Sequence, residues 1–147
     1  MFTFNTLTGI DQPTLLQKDE IANFLYTHLD QYGDEKADIL KCLDYALSNY
    51  AHQGGFVVIA RDENNYIAGA IVINKTGMEG YIPENILVYI AVNNDFRGKG
   101  LGKQLMEKAI GFATGSIALH VEPDNPAKKL YEKLGFTNKY LEMRLQR

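Results

Sequence analysis

Residues 86–105 read ILVYIAVNNDFRGKGLGKQL, and this stretch decides the fold. Ile86 to Val92 is the most hydrophobic run in the chain and predicts a strand buried on both faces. Asn93 to Phe96 is a polar loop, and from Leu101 the apolar residues Leu105, Met106, Ala109, Ile110 and Phe112 recur at helical spacing. A strand, a tight glycine turn, a helix and then a second short apolar run, Ile117 to Val121, form a crossover that predicts a sheet parallel at least in part.

The turn itself, Arg97-Gly98-Lys99-Gly100-Leu101-Gly102-Lys103, places three glycines within five residues. Glycine opens backbone conformations closed to other residues and lets an outside group approach the main chain. The first N–H groups of a helix lack intrahelical acceptors, and the helix dipole adds positive potential there. With Arg97, Lys99 and Lys103 adding side-chain charge, the turn suits a phosphate or pyrophosphate. A nucleoside-triphosphate P-loop would need Gly at position 93 and Ser or Thr at position 100, where Asn93 and Gly100 stand. The dinucleotide fingerprint started at Gly98 meets Lys103 where its last glycine belongs.

Outward from this segment, Phe2, Phe4 and Leu7 alternate with polar residues as a first strand. Ile21, Phe24, Leu25 and Leu29 predict a first helix, and a second begins near Asp34, a candidate N-cap, carrying Ile39, Leu40, Leu43, Ala46, Leu47 and Tyr50. Phe56–Ala60 and Tyr66–Ile73, separated by a turn at Asp62–Asn65, predict a hairpin. A fourth helix is expected over Pro126–Leu134, then a closing strand in which Leu141, Met143 and Leu145 alternate with Glu142, Arg144 and Gln146. No repeat, low-complexity tract or linker divides the sequence, so residues 1–147 are expected to form a single domain.

Composition excludes several classes. Apolar residues make up 46% and charged residues 22%, ordinary globular usage. The net charge of -3 supplies no global positive field for a nucleic acid, although a local basic cluster can still hold a small anion. One cysteine, Cys42, permits no internal disulfide, and the three histidines show no metal-ligand spacing, so no metal is expected. The amino-terminal residues lack a basic segment followed by an apolar one, and no run of ~18 apolar residues occurs. A cytoplasmic location and no membrane association are expected.

Arg97-x-x-Gly100-x-Gly102 resembles the R/Q-x-x-G-x-G/A motif of GNAT (GCN5-related) N-acetyltransferases, and Ile90-Ala91-Val92 before it is similar to theirs. Downstream, Ala127-Lys-Lys-Leu-Tyr131-Glu-Lys-Leu-Gly-Phe136 resembles the second family signature, A-x-x-L-Y-E-K-L-G-F. The resemblance implies a mixed α/β GNAT fold, a central twisted mixed sheet flanked by helices, with acetyl-CoA as cosubstrate and a primary amine as acceptor. It places Ile90, Ala91 and Val92 along pantetheine and Arg97, Gly98, Lys99, Gly100, Leu101, Gly102 and Lys103 on the pyrophosphate.

Tyr131 holds the family position for the acid that protonates the departing thiolate. Relatives usually have Asn seven residues before that tyrosine. Here Asp124 stands there and Asn125 follows, so Asn125 is a cofactor contact or else a turn former or helix N-cap before Pro126. Glu84, Tyr89, His120 and Glu122 lie near the ends of the predicted central strands as candidates for the base. The acceptor, a small-molecule or peptide amine, has no diagnostic motif, and a homodimer could complete its cleft. A non-catalytic acyl-CoA-binding module is the alternative reading.

Overall fold

The computed structural model describes residues 1–147 and contains one five-stranded sheet between two helical layers. The elements are β1 (Thr3–Leu7), α1 (Leu15–His28), α2 (Lys36–Ala46), β2 (Gly55–Arg61), β3 (Ile67–Lys75), β4 (Asn85–Val92), α3 (Leu101–Phe112), β5 (Ile117–Leu119) and α4 (Ala127–Lys133). Strand order follows the chain. The first four strands pair antiparallel, and β5 joins β4 in parallel after the α3 crossover.

Both faces of the sheet are buried, which is why β2 and β3 are apolar at nearly every position. On one face Ile21, Leu25, Ile39 and Leu43 of α1 and α2 pack on Val57, Ile59, Val72, Tyr89 and Ala91. On the other, Leu101, Leu105 and Met106 of α3, with Tyr131 of α4, cover Phe56, Val58, Ile71, Ile73 and Leu87. Successive β2 residues divide between the two cores because strand side chains alternate in direction. A buried amide, Asn85, ties the start of β4 to the α3–β5 connection by donating to the carbonyls of Thr114 at 2.8 Å and Ser116 at 3.2 Å.

Cys42 lies in the first core, and burial pushes its thiol up to about 11. Only the thiolate is nucleophilic, so the native protein should react with a disulfide reagent at pH 8 about 100-fold or more slowly than a free cysteine, and at the normal rate in denaturant. Rapid labelling of the native state would place Cys42 outside the core.

The expected closing strand is absent. Residues after Phe136 form no regular structure, and Leu141, Met143 and Leu145 are 84%, 91% and 79% exposed. The alternation is genuine, but β5 is only three residues long. A strand laid against it would gain about three ladder pairs while losing ~1–2 kcal/mol of backbone entropy per ordered residue. No helix is long and apolar enough to cross a membrane.

Candidate active site

Two features of β4 open a cleft. Its ladder with β5 consists of three pairs, Asn85 with Ile117, Ile86 with Ala118 and Leu87 with Leu119, so from Val88 onward β4 has a strand neighbour only on the β3 side. Opposite Val72 and Ile73 the register slips, with Tyr89 and Leu87 as partners, and Val88 is the extra residue of a bulge. The strands therefore part at an irregularity that re-aims the backbone. Beyond it Ile90 and Val92 face α3 while Tyr89 and Ala91 face α1 and α2.

At the far end of β4 the glycine turn enters α3. Gly98 and Gly100 adopt φ of 80° and 78°, left-handed values that glycine takes without strain. Gly100 is the N-cap residue of α3, and no side chain caps the helix. The first-turn N–H groups are therefore available to an outside acceptor. A Cβ built at Gly98 or Gly100 would meet nothing within 4 Å, so the space beside the turn is open. Lys99 and Lys103 are exposed and in no ion pair. Leu101 is a core anchor, and it can contribute to an anion only through its backbone.

Arg97 also has a scaffold role. Its Nε donates to the Val92 carbonyl at 3.4 Å and one Nη to the His28 carbonyl at 3.2 Å, pinning the turn to β4 and to the end of α1. Two of its donors thus serve the protein scaffold. Beside it the His28 ring packs against Phe24 with the planes tilted by 41°, and burial first, then Arg97, lowers its pKa, so the imidazole is neutral at pH 7.

The two glycines of the motif differ in kind. Gly100 is left-handed, whereas Gly102 is inside α3, where an added Cβ would sit 3.5 Å from Leu130 Cδ2 and 3.8 Å from Val92 Cγ2, ordinary contact distances. This accounts for a pattern that tolerates alanine at the second position and not at the first. If the turn holds the CoA pyrophosphate as the resemblance implies, Gly100→Ala, which costs about 1–2 kcal/mol in the left-handed region, should weaken CoA binding roughly 5- to 30-fold by calorimetry, while Gly102→Ala stays within about 3-fold. Equal losses would mean that the turn conformation is not what the ligand reads.

Tyr131, on α4, is 7% exposed and packs in the α3-side core, with its ring centroid 6.0 Å from that of Phe136. Its hydroxyl has no hydrogen-bond partner in the protein, and burial raises its pKa to about 12. Asn125 accepts the Ala127 N–H at 3.0 Å through Oδ1, so its side-chain carbonyl helps to start α4. Glu84 lies at the opposite end of β4 from the glycine turn. It clamps the Gly80 N–H at 2.9 Å and the Ser116 N–H at 2.7 Å, and those bonds lower its pKa. His120 and Glu122 are exposed beyond the end of β5.

The α1–α2 connection crosses the mouth of the cleft. On the β4 side the Tyr89 hydroxyl donates to Asp34 Oδ2 at 2.5 Å, and on the other the Tyr32 hydroxyl donates to the Asp124 carbonyl, in the loop before α4, at 3.4 Å. The expected N-cap role of Asp34 is not realised. Glu35 is the N-cap residue of α2, and the Asp34 carboxylate is turned to Tyr89 instead. Nothing local in the sequence signals this pairing, which joins residues 55 positions apart.

A sheet that parts beside an uncapped helix N-terminus is an architecture for an extended ligand with a phosphate at one end. The chain belongs to the acetyltransferase (GNAT) family, whose model matches residues 16–136. It is an acetyltransferase that takes the acetyl group from acetyl-CoA and passes it to an amine.

Solved structures share the fold across nearly the whole chain. A chain of the NatC complex bound to Gag peptide and CoA is 22% identical with a TM-score of 0.73, over 95% of this chain and 86% of that one. An aminoglycoside N-acetyltransferase in complex with CoA is 16% identical with a TM-score of 0.69, over 100% and 96%. The ribosomal-protein-alanine N-acetyltransferase of Brucella melitensis is 19% identical with a TM-score of 0.65, over 100% and 99%.

Proposed function

We propose that acetyl-CoA lies with its pantetheine arm along the free edge of β4 at Ile90, Ala91 and Val92, its pyrophosphate on the amides from Gly98 to Lys103, and its thioester at the bulge. The acceptor is a primary amine of a small molecule or a peptide. The observation that carries this reading is the three-pair β4–β5 ladder: it leaves unpaired strand edge leading straight to the uncapped start of α3. Lys99 and Lys103 supply charge to the pyrophosphate, Arg97 holds the turn in shape, and Asn125 acts on α4 rather than on the ligand.

In the reaction the amine nitrogen bonds to the acetyl carbon, the carbon–sulfur bond breaks, and the sulfur leaves as a thiolate that Tyr131 stabilises with its hydroxyl proton. The structural neighbours that act on an aminoglycoside and bind a peptide make both acceptor classes worth testing. Acetyl-CoA incubated with polyamines, aminosugars, and peptides with a free α-amine or a lysine should release free thiol with at least one of them, with a product about 42 Da heavier than that acceptor. CoA binding without thiol release across the panel would remove this acceptor reading.

A further inference from the structure

Basic side chains concentrate at the glycine turn, with Asp95 just before it the acidic exception, and acidic ones at the α1–α2 connection. On the glycine-turn side stand Lys99 and Lys103, unpaired, and Arg97. At the mouth, on the α1–α2 connection and the first turn of α2, stand Asp34, Glu35 and Asp38. The nearest cation in sequence, Lys36, is taken by Asp19 at 2.8 Å, and Lys41 lies 3.5 Å from Asp38. Asp34 itself is in no ion pair, and its one protein partner is the Tyr89 hydroxyl on Oδ2. Oδ1 is left without a protein donor.

Tyr89 is a buried residue of the unpaired part of β4, directly after the bulge, so the carboxylate it holds is fixed relative to the strand where the thioester is placed. On the opposite face of the sheet lies Tyr131, whose hydroxyl also has no protein partner. We propose that Asp34, oriented by Tyr89, is the carboxylate that receives the acceptor as a cationic primary ammonium at the mouth of the cleft. This inference rests on the placement of the thioester at the bulge.

The chemistry follows from the atoms available. A carboxylate with one oxygen fixed by a phenol and the other free can accept from an ammonium N–H, and a charge-assisted bond of this kind is stronger than a neutral one. The surrounding Glu35 and Asp38 raise the local concentration of cations over anions. A carboxylate is too weak a base to hold the proton of a lysine-like amine of pKa ~10.4, so Asp34 selects and positions the acceptor; one ammonium proton is lost to water before the nitrogen, now with a free lone pair, attacks, and a second leaves once the C–N bond has formed. Tyr89 is a positioning residue that acts through Asp34.

The test uses the full chain saturated with CoA and titrated, by amide NMR and calorimetry, with spermidine, kanamycin, and a lysine-bearing pentapeptide and its N-acetylated, lysine-acetylated form. At least one cationic probe should bind with shifts at Asp34 and the residues beside it, and the neutral peptide should not. Asp34→Asn should weaken that binding about 10-fold or more, Asp34→Glu should recover part of it, and Tyr89→Phe, which keeps the ring that packs in the core, should weaken it about 3- to 5-fold. CoA affinity should stay within about 2-fold in all three. If the wild-type protein binds CoA yet no cation binds in an Asp34-dependent way, the inference is overturned and the cofactor reading stands. Failure of the wild-type protein to bind CoA overturns both.

Discussion

Gly55→Ala should lower the thermal midpoint by roughly 10 °C, the largest loss expected from adding a single methyl group, because a destabilisation of about 3 kcal/mol in a chain of this size shifts the midpoint by some 2–4 °C per kcal/mol. Gly55 opens β2 at φ 144°, paired with Asn74 across the hairpin. A Cβ there would lie 1.9 Å from the Ile73 carbonyl oxygen and 2.9 Å from the Asn74 Cα. Both obstacles are backbone atoms of the neighbouring strand, so no rotamer change relieves the clash and the ladder must give way. Gly77 is the control: at φ 78° with nothing within 4 Å of an added Cβ, its alanine variant bears only the left-handed cost of about 1–2 kcal/mol. Differential scanning calorimetry of the two variants should separate them clearly. Equal shifts would mean that the close approach at Gly55 is not enforced. Because Gly55 is at the Asn85 end of the sheet, away from the glycine turn, the folded fraction of Gly55→Ala should bind CoA as the wild type does.

What could be read from the sequence was what is local. The β4 segment, the glycine turn and α3 announce themselves by hydrophobic run, composition and period, and each forms where expected. The two-sided burial of β2 and β3 is equally plain in their near-continuous apolar residues. Non-local facts were not readable. Leu141, Met143 and Leu145 carry the period of a strand, but period says nothing about whether a partner edge is long enough to hold one. The charge of Arg97 is plain in the sequence, but its additional engagement with the Val92 and His28 carbonyls depends on where α1 ends in space. Asp34 reads as a helix cap, yet a one-residue shift in the start of α2 frees it for Tyr89. Thus the half of the cleft proposed to take the cofactor is encoded in contiguous motifs, and the half proposed to take the acceptor is assembled from residues that only the fold brings together.

Tyr131→Phe should reduce kcat by about 10- to 100-fold while leaving CoA affinity within about 2-fold, the amount set by one hydrogen bond to a charged group. With its pKa at about 12, the phenol is some 3 units less acidic than an ordinary thiol, so full proton transfer to the leaving sulfur is uphill. In the proposed reaction its contribution is then a donated hydrogen bond that strengthens as negative charge develops, which acts on the transition state more than on bound substrate. The same burial keeps the hydroxyl protonated throughout the working range, so the wild-type pH–rate profile between pH 6 and 10 should have no limb that Tyr131→Phe removes. Stability supplies an independent readout of the same group. Since the folded pKa lies above the unfolded value near 10, the contribution is complete below pH 10 and is lost as pH rises from about 10 to 12, where the unfolded chain releases a proton that the folded chain retains. Tyr89, raised well above the ordinary range by burial and then by Asp34, steepens that limb further. Tyr131→Phe should therefore flatten the alkaline fall in urea midpoint without removing it, because Tyr89 persists. Undiminished turnover together with a flattened stability limb would leave Tyr131 as a packing residue and send the search for the thiolate's partner to another group in the cleft.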